Sequence, residues 1–220
     1  MRKNVLISVL MSVYNTEFAV VKRAIDSVLR QDFQDFELII IDDGSDHDDA
    51  NQLLRYAQQN QEKITYLRHK NRGQSNSINQ GVLLSNGQYI AIIDADDEYK
   101  PEHLQACLNG MEEADLIASK TQTIVDREAD YYVPDRKDEN KLIHVDDCIL
   151  FATFFGRKAV FSSLKFQDTY AADAQFFERS AERYRVRKLD LRTYVYYRNN
   201  PDSACSVLKN KYFTDQLAQV

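Results

Sequence analysis

Two short acidic clusters carry the chemistry that is legible in this chain. Apolar runs stop at Asp42-Asp43-Gly44-Ser45 and again at Asp94-Ala95-Asp96-Asp97. Neighbouring carboxylates repel one another, and clusters at the ends of apolar runs mark sites more often than they serve structure. In extended chain Asp94 and Asp96 project to the same side, because the strand period is two. Their carboxylates can then share one ligand, and carboxylate oxygens suit a hard cation such as Mg²⁺ or Mn²⁺. A cation held by few protein ligands keeps positions open for a diphosphate.

The glycines narrow the kind of phosphate site. The chain has 6 of them, Gly44, Gly73, Gly81, Gly87, Gly110 and Gly156, and they form neither GxGxxG nor GxxxxGK[ST]. A dinucleotide dehydrogenase and a P-loop kinase are thereby set aside, and phosphate must be held through a metal and side chains. A net charge of -6 argues against nucleic acid as a partner, since that requires a basic face. Cys107, Cys148 and Cys205 are too few and too spread for a disulfide framework or a zinc site. His47, His69, His103 and His144 show no ligand spacing.

Elements must position the two clusters. The 220 residues are 44% apolar and 28% charged with 3 prolines, which supports a packed core. Strands are expected over 5–14, 36–41, 64–67 and 89–93, and a further one begins at 116–118. Helices are expected over 18–30, 50–59 and 75–84, and from Pro101, at a helix start, to about Met111. This alternation predicts an α/β fold with a mostly parallel sheet, in which ligands bind beyond the carboxyl ends of the strands. From Asp126 to Asp147 the pattern breaks into a charged, tyrosine-containing stretch that reads as a hairpin, a lid or a disordered loop. Regularity returns over 151–161, where the run from Phe151 to Phe155 has the apolar character of a buried strand. A helix over 173–183 and strands over 186–191 and 194–197 follow.

Four segments in order resemble family 2 glycosyltransferases: Ser8-Val9-Leu10-Met11-Ser12-Val13-Tyr14-Asn15, Ile41-Asp42-Asp43-Gly44-Ser45, Asn71-Arg72-Gly73-Gln74-Ser75 and Asp94-Ala95-Asp96-Asp97. The resemblance is strongest over residues 5–105. It implies a GT-A-like three-layer sandwich around a central, mostly parallel sheet. The chain would be one domain, with a donor half over 1–120 and an acceptor half with the catalytic base over 121–220. It further implies an inverting, metal-dependent transfer of a hexosyl or N-acetylhexosaminyl group from a nucleotide-sugar donor, UDP being the expected carrier. The acceptor would be a glycan or glycolipid hydroxyl in surface polysaccharide synthesis, and the run from Phe151 to Phe155, if not simply a buried strand, would shape its site. Ser12, Tyr14, Asp42, Asp43, Arg72, Ser75 and Asp94 would bind the donor. Asp96 would ligate Mn²⁺ or Mg²⁺, and Asp97 would support that site or share the ligation.

The stretch from Tyr170 to Arg179 resembles the family's segment around its catalytic carboxylate. Its first acidic position is Ala172 here, so Asp173 is left as general base, and the bland reading of Asp173 is a helix N-cap. Asn200 stands where the family commonly has a histidine, and an amide is a weaker metal ligand, although Asn200 and Ser203 can hydrogen-bond phosphate oxygens. These departures motivate one rival reading, a sugar-nucleotide-binding domain impaired in catalysis. A sugar nucleotidyltransferase is the other rival, but Ser12-Val13-Tyr14-Asn15-Thr16 holds no glycine-rich loop after the first strand. No run has the roughly 20 apolar residues of a membrane span and no signal cleavage site is evident, which predicts a cytoplasmic protein. Contact with the inner face of the membrane is compatible with this reading.

Overall fold

The computed structural model describes residues 5–46, 48–169 and 171–199. Strands β1 (Ile7–Val13), β2 (Phe36–Asp42), β3 (Ile64–Arg68) and β4 (Tyr89–Asp94) alternate with helices α1 (Phe18–Leu29), α2 (Asp49–Gln59) and α3 (Gln74–Leu84). Then come β5 (Glu98–Tyr99), α4 (His103–Asn109), β6 (Leu116–Ile124), β7 (Tyr132–Asp135) and β8 (Asp138–His144). The described chain closes with β9 (Phe154–Arg157), α5 (Lys158–Leu164), α6 (Ala172–Ala181) and β10 (Val186–Tyr197).

Eight strands form one sheet in the order β3-β2-β1-β4-β9-β6-β10-β5. The pairs β3/β2, β2/β1, β1/β4 and β6/β10 are parallel, whereas β9 and the short β5 run antiparallel to their neighbours. This is the α/β, mostly parallel sheet that the sequence predicts. Strands β1, β2 and β4 are buried almost throughout, as continuous apolar runs in a parallel sheet must be. Right-handed crossovers send α1 and α2 to one face and α3 to the other. In agreement, α1 packs on α2 while α3 packs on α5 and α5 on α6.

Strand β4 enters the sheet past Gly87, where a Cβ would lie 2.5 Å from the Ser8 nitrogen and 2.7 Å from the Ile7 carbon. The Gly87 N–H also donates to Ser8 Oγ at 2.9 Å. Gly87→Ala should therefore force β4 away from β1 and cost about 1–3 kcal/mol, the usual scale of overpacking. Urea unfolding checks this, and a loss under about 0.5 kcal/mol would mean that the strands separate freely at this point.

Three boundaries differ from the sequence reading. Pro101 lies in a turn, and α4 starts at His103, because Gln31 Oε1 accepts from Leu104 N at 2.9 Å and supplies the first turn from α1's end. The strands expected over 186–191 and 194–197 are one strand, β10, whose register on β6 slips between Leu189 and Tyr194 with Arg192 at φ 50°. The 151–161 stretch is a 3₁₀ turn (Phe151–Thr153), β9 and the start of α5, not a single strand. Its Phe154 is buried among Phe166, Phe176 and Phe177, so core packing accounts for its apolar character. The segment from Asp126 to Asp147 is a 3₁₀ turn (Glu128–Tyr131), the hairpin β7/β8 and a second 3₁₀ turn (Val145–Asp147). His47, Tyr170, Asn200, Ser203 and Cys205 lie outside the described residues.

Candidate functional site

The chain leaves β1 for β2 and β3 on one side and returns through α3 to β4 on the other. Such a reversal opens a crevice at the carboxyl ends of the two central strands. Ser12 of β1 sits in register with Asp94 of β4 at that point. Beyond Ser12, Tyr14 is 49% exposed at the mouth of the crevice. Asn15 turns the chain with φ 48°, its N–H donating to Ser45 Oγ at 3.0 Å while its Oδ1 accepts from Asp46 N at 2.9 Å. Loops after β1 and β2 are thus tied to each other.

At the end of β2 the two aspartates are buried and their oxygens are engaged. Asp42 accepts from Ser45 N at 2.8 Å and from the Tyr66 hydroxyl at 2.5 Å, with Arg68 Nε 3.5 Å away. Asp43 accepts from Arg72 N at 2.8 Å and Gly73 N at 2.9 Å. Gly44, at φ 84°, permits this approach, since a Cβ there would sit 2.7 Å from Asn71 N. These carboxylates fix the shape of the 69–73 loop. Arg72, carried on that loop, is exposed, and its guanidinium has no partner among the described residues. Ser75 is buried, with its hydroxyl donating to the Gln167 carbonyl at 3.1 Å.

The second cluster divides its labour. Asp94 lies partly covered at the end of β4 and accepts from Gln74 Nε2 at 2.7 Å. Burial pushes its carboxyl up to about 7, and the charges of Asp96 and Asp173 add to the rise. Asp97 is 1% exposed, accepting from the Tyr194 hydroxyl at 2.6 Å and from Tyr197 N at 2.9 Å. Burial, then Asp94 and Asp96, hold the Asp97 carboxyl well above the usual carboxylate range. The Tyr194 oxygen also accepts from Asp94 N at 3.2 Å, so β10 clamps the turn from below.

Asp96 is held by its backbone. Arg23 of α1 donates to the Asp96 carbonyl at 2.5 Å, pairs with Glu98 at 3.2 Å and lies 4.1 Å over the Tyr197 ring. Tyr197 in turn donates to Glu98 at 2.7 Å. Arg23 is therefore a positioning residue for the Asp96 turn. Arg23→Met keeps most of the packing against Tyr197 but loses the bonds. Any Mn²⁺ held at this turn should then bind about 10–100-fold more weakly, the scale of outer-shell changes, with little change in melting temperature. Electron paramagnetic resonance of free Mn²⁺ checks this, and unaltered Mn²⁺ affinity would remove Arg23 from the site.

Asp173 comes from far along the chain. It stands in the first turn of α6, preceded by Ala171 at φ 54°, and its Oδ1 accepts from Ala174 N at 2.7 Å. Its charge acts on Asp94, and the 3₁₀ turn Phe151–Thr153 packs against both α6 and β4. Burial raises the Asp173 carboxyl, opposed by backbone N–H groups of its own turn and of Phe151 and by the charge of Arg136. Arg136, at the tip of the β7/β8 hairpin, forms an ion pair with Glu178 of the same helix. The structure thus gathers Ser12, Asp94, Asp96 and Asp173 around the crevice and puts Tyr14 and Arg72 on the exposed loops beside it. Asp42, Asp43, Ser75 and Asp97 spend their side chains on the loops and on β10. Sequence reasoning gave no role to Gln74, Arg23, Tyr194, Tyr197 or Arg136. Gln74 falls inside a quoted segment and was within reach, whereas the other contacts join residues with no periodic signal between them.

The profile of glycosyl transferase family 2 matches residues 8–184. The chain belongs to glycosyl transferase family 2. The succinoglycan biosynthesis protein ExoW of Rhizobium meliloti is 33% identical over 100 residues, 44% of this family 2 chain and 31% of ExoW. Two solved structures share the fold. The mannosyltransferase PcManGT of Pyrobaculum calidifontis, in complex with GDP-Man and Mn²⁺, superposes with a TM-score of 0.71 at 14% identity, covering 99% of this chain and 64% of that one. TarS 1-349 of S. aureus, in complex with UDP-GlcNAc, gives 0.69 at 19% identity, covering 92% and 60%. The GT-A-like architecture expected from the sequence is thereby established. Matches to the first curated relatives span between 18% and 41% of their lengths.

The crevice fits a divalent cation. Asp94 and Asp96 offer hard oxygens; burial is the first cause of the raised Asp94 carboxyl, and the repulsion from Asp96 that adds to it is what a cation offsets. Among the described residues no group of three or more His, Cys, Asp and Glu side chains gathers to hold a metal. Such a cation would take its remaining ligands from a diphosphate and water.

Proposed function

We propose that the chain is an inverting glycosyltransferase that moves a hexosyl or N-acetylhexosaminyl group from a nucleotide-diphosphate donor, UDP-sugar first among them, to a hydroxyl of a glycan or glycolipid. The observation that carries this reading is the nearness of Asp173 to Asp94, which has Asp96 beside it at the end of β4. In this reading the reacting sugar lies between the acidic group at the helix start and the acidic pair at the strand end. Tyr14 and Arg72 flank the nucleotide there, with Asp42 and Asp43 shaping their loop. Ser12 and Asp94 border the ribose side, and Ser75 braces the loop wall through Gln167.

Asp96 would ligate Mn²⁺ or Mg²⁺, and Asp97 would support the turn from β10, the first of the two roles expected of it. When bound, the cation offsets the charge that develops on the departing diphosphate. Asp173 takes the proton of the acceptor hydroxyl as that oxygen attacks the anomeric carbon, and a single attack inverts the configuration. Burial favours this role, because a carboxylate with a raised pKa is the better base. Relatives such as ExoW suggest surface polysaccharide synthesis as the setting. Among the described residues no helix is long and apolar enough to cross a membrane. We read the protein as cytoplasmic, meeting lipid-linked acceptors at the inner face of the membrane, with all 220 residues in one domain.

A thermal-shift panel of UDP-, GDP- and dTDP-sugars with Mn²⁺ tests the donor class. The anomeric configuration of the product, read by NMR, tests the mechanism. A retained configuration would overturn it.

A further inference from the structure

A second recess is lined by Lys100, Gln122, Thr123, Tyr131, His144, Asp146 and Arg192, with a volume of about 320 Å³. None of these residues belongs to the crevice described above. The recess is built rather than incidental. Arg192 occupies the left-handed region at φ 50°, where the register of β10 on β6 slips. A non-glycine residue held there is strained and persists only when its surroundings fix it. Here Arg192 donates to the Thr121 carbonyl at 3.0 Å, pairs with Asp146 at 2.5 Å and with Asp190 at 2.8 Å. Lys188 Nζ adds bonds to the Asp146 and Cys148 carbonyls at 2.6 and 2.7 Å. The segment after β8 is thus pinned to β10, and the recess stays open between them.

Its walls have the chemistry of a saccharide site. Tyr131 stacks on His144 with ring centroids 5.4 Å apart and planes at 16°, and Tyr132 meets the same imidazole edge-on at 5.5 Å. His144 Nδ1 accepts from Asp146 N at 3.1 Å, which holds the ring in place. A flat aromatic wall of this kind packs against the C–H face of a sugar ring. The exposed Gln122 amide has no partner among the described residues and can serve ring hydroxyls.

Charge selects further. Asp146 and Asp190 are balanced by Arg192 together with Lys120, which lies 3.6 Å from Asp190. Lys100 Nζ has no partner among the described residues and is the cation left over. In a chain of net charge -6, an anionic ligand is repelled in general and held only where such a cation waits. The volume falls at the lower end of small-molecule sites, which run from about 300 to 1,000 Å³, and suits roughly one or two sugar rings.

We propose that this recess is a subsite for an anionic saccharide unit of the glycan on which the enzyme acts, bearing a carboxylate or a phosphate. It rests on the glycosyltransferase reading. Tyr131 and His144 stack on the ring, Gln122 and Thr123 meet hydroxyls, and Lys100 takes the negative charge.

Calorimetric titration tests it on the full chain with UDP and Mn²⁺ present. The probes are a glucuronate-containing disaccharide, its neutral glucose counterpart, glucose 1-phosphate and inorganic phosphate. One anionic saccharide should bind, the neutral disaccharide about tenfold more weakly, and the preferred anion shows whether a carboxylate or a phosphate is read. Lys100→Met and Tyr131→Ala should each weaken that binding about tenfold or more with UDP affinity unchanged. Failure of both anionic saccharides to bind, or binding that neither variant alters, overturns the subsite. Equal affinity for inorganic phosphate does so too, since the recess would then hold only an anion. UDP affinity in the same samples tests the glycosyltransferase reading separately. Its loss with the saccharide response intact would overturn that reading and not the recess.

Discussion

Asp173→Asn should bind donor and Mn²⁺ almost as the parent does while its turnover falls by about 10²–10⁴-fold, the usual contribution of a general base. The substitution is nearly isosteric, and its side-chain oxygen can still accept from Ala174 N, a bond that measures 2.7 Å. Fold and helix start are therefore retained, whereas the amide cannot take a proton at neutral pH. Removing the carboxylate also relieves Asp94 of one of its two repulsive neighbours. Nucleotide affinity should then hold steady or tighten slightly, the opposite of what a damaged pocket gives. Transfer rate and donor affinity, measured together on a variant shown to be folded, decide the matter. Near-normal turnover would reduce Asp173 to a first-turn acid of α6 and leave the inverting mechanism without its base.

How far the sequence reached depends on the range of the interaction. Helices and strands through Ala118 follow from local periodicity, and their order follows from the alternation of the two periods. Both acidic clusters were visible because they interrupt apolar runs. What those carboxylates touch was not visible. Asp97 is bound by Tyr194 and Tyr197 of β10, about a hundred positions away, and nothing in the local pattern of either segment announces the pairing. The same holds for Arg23, which reads as a polar residue on an amphipathic helix until α1 is laid beside the turn after β4. Pro101 misled for a different reason, since Gln31 from α1 supplies the helix start that a proline at the first position would otherwise mark. The break after Asp126 was read correctly as irregular, but the choice among hairpin, lid and loop rested on strand pairing that composition does not encode.

The contrast between Asp96 and Asp97 yields the other large effect. Asp96→Ala should abolish detectable transfer, a loss of at least about 10³-fold. Several kcal/mol of charge stabilisation on the leaving diphosphate depend on the cation, and each 1.4 kcal/mol is tenfold in rate. The same change should make UDP affinity insensitive to Mn²⁺, because the protein no longer links the two. Asp97→Asn should behave otherwise. Its carboxylate accepts from the Tyr194 hydroxyl and Tyr197 N, so the amide keeps an acceptor for one of them and strains the other. That variant should lose stability by about 1–3 kcal/mol, the scale of a disturbed buried hydrogen bond, while UDP affinity still rises with added Mn²⁺. Paired titrations of UDP with and without Mn²⁺, beside urea unfolding of both variants, separate ligation from support. If Asp97→Asn also abolishes the Mn²⁺ response in a fully folded protein, the metal is shared between the two residues. If Asp96→Ala retains full activity in EDTA, the acidic strand end holds no catalytic cation and the crevice works by side chains alone.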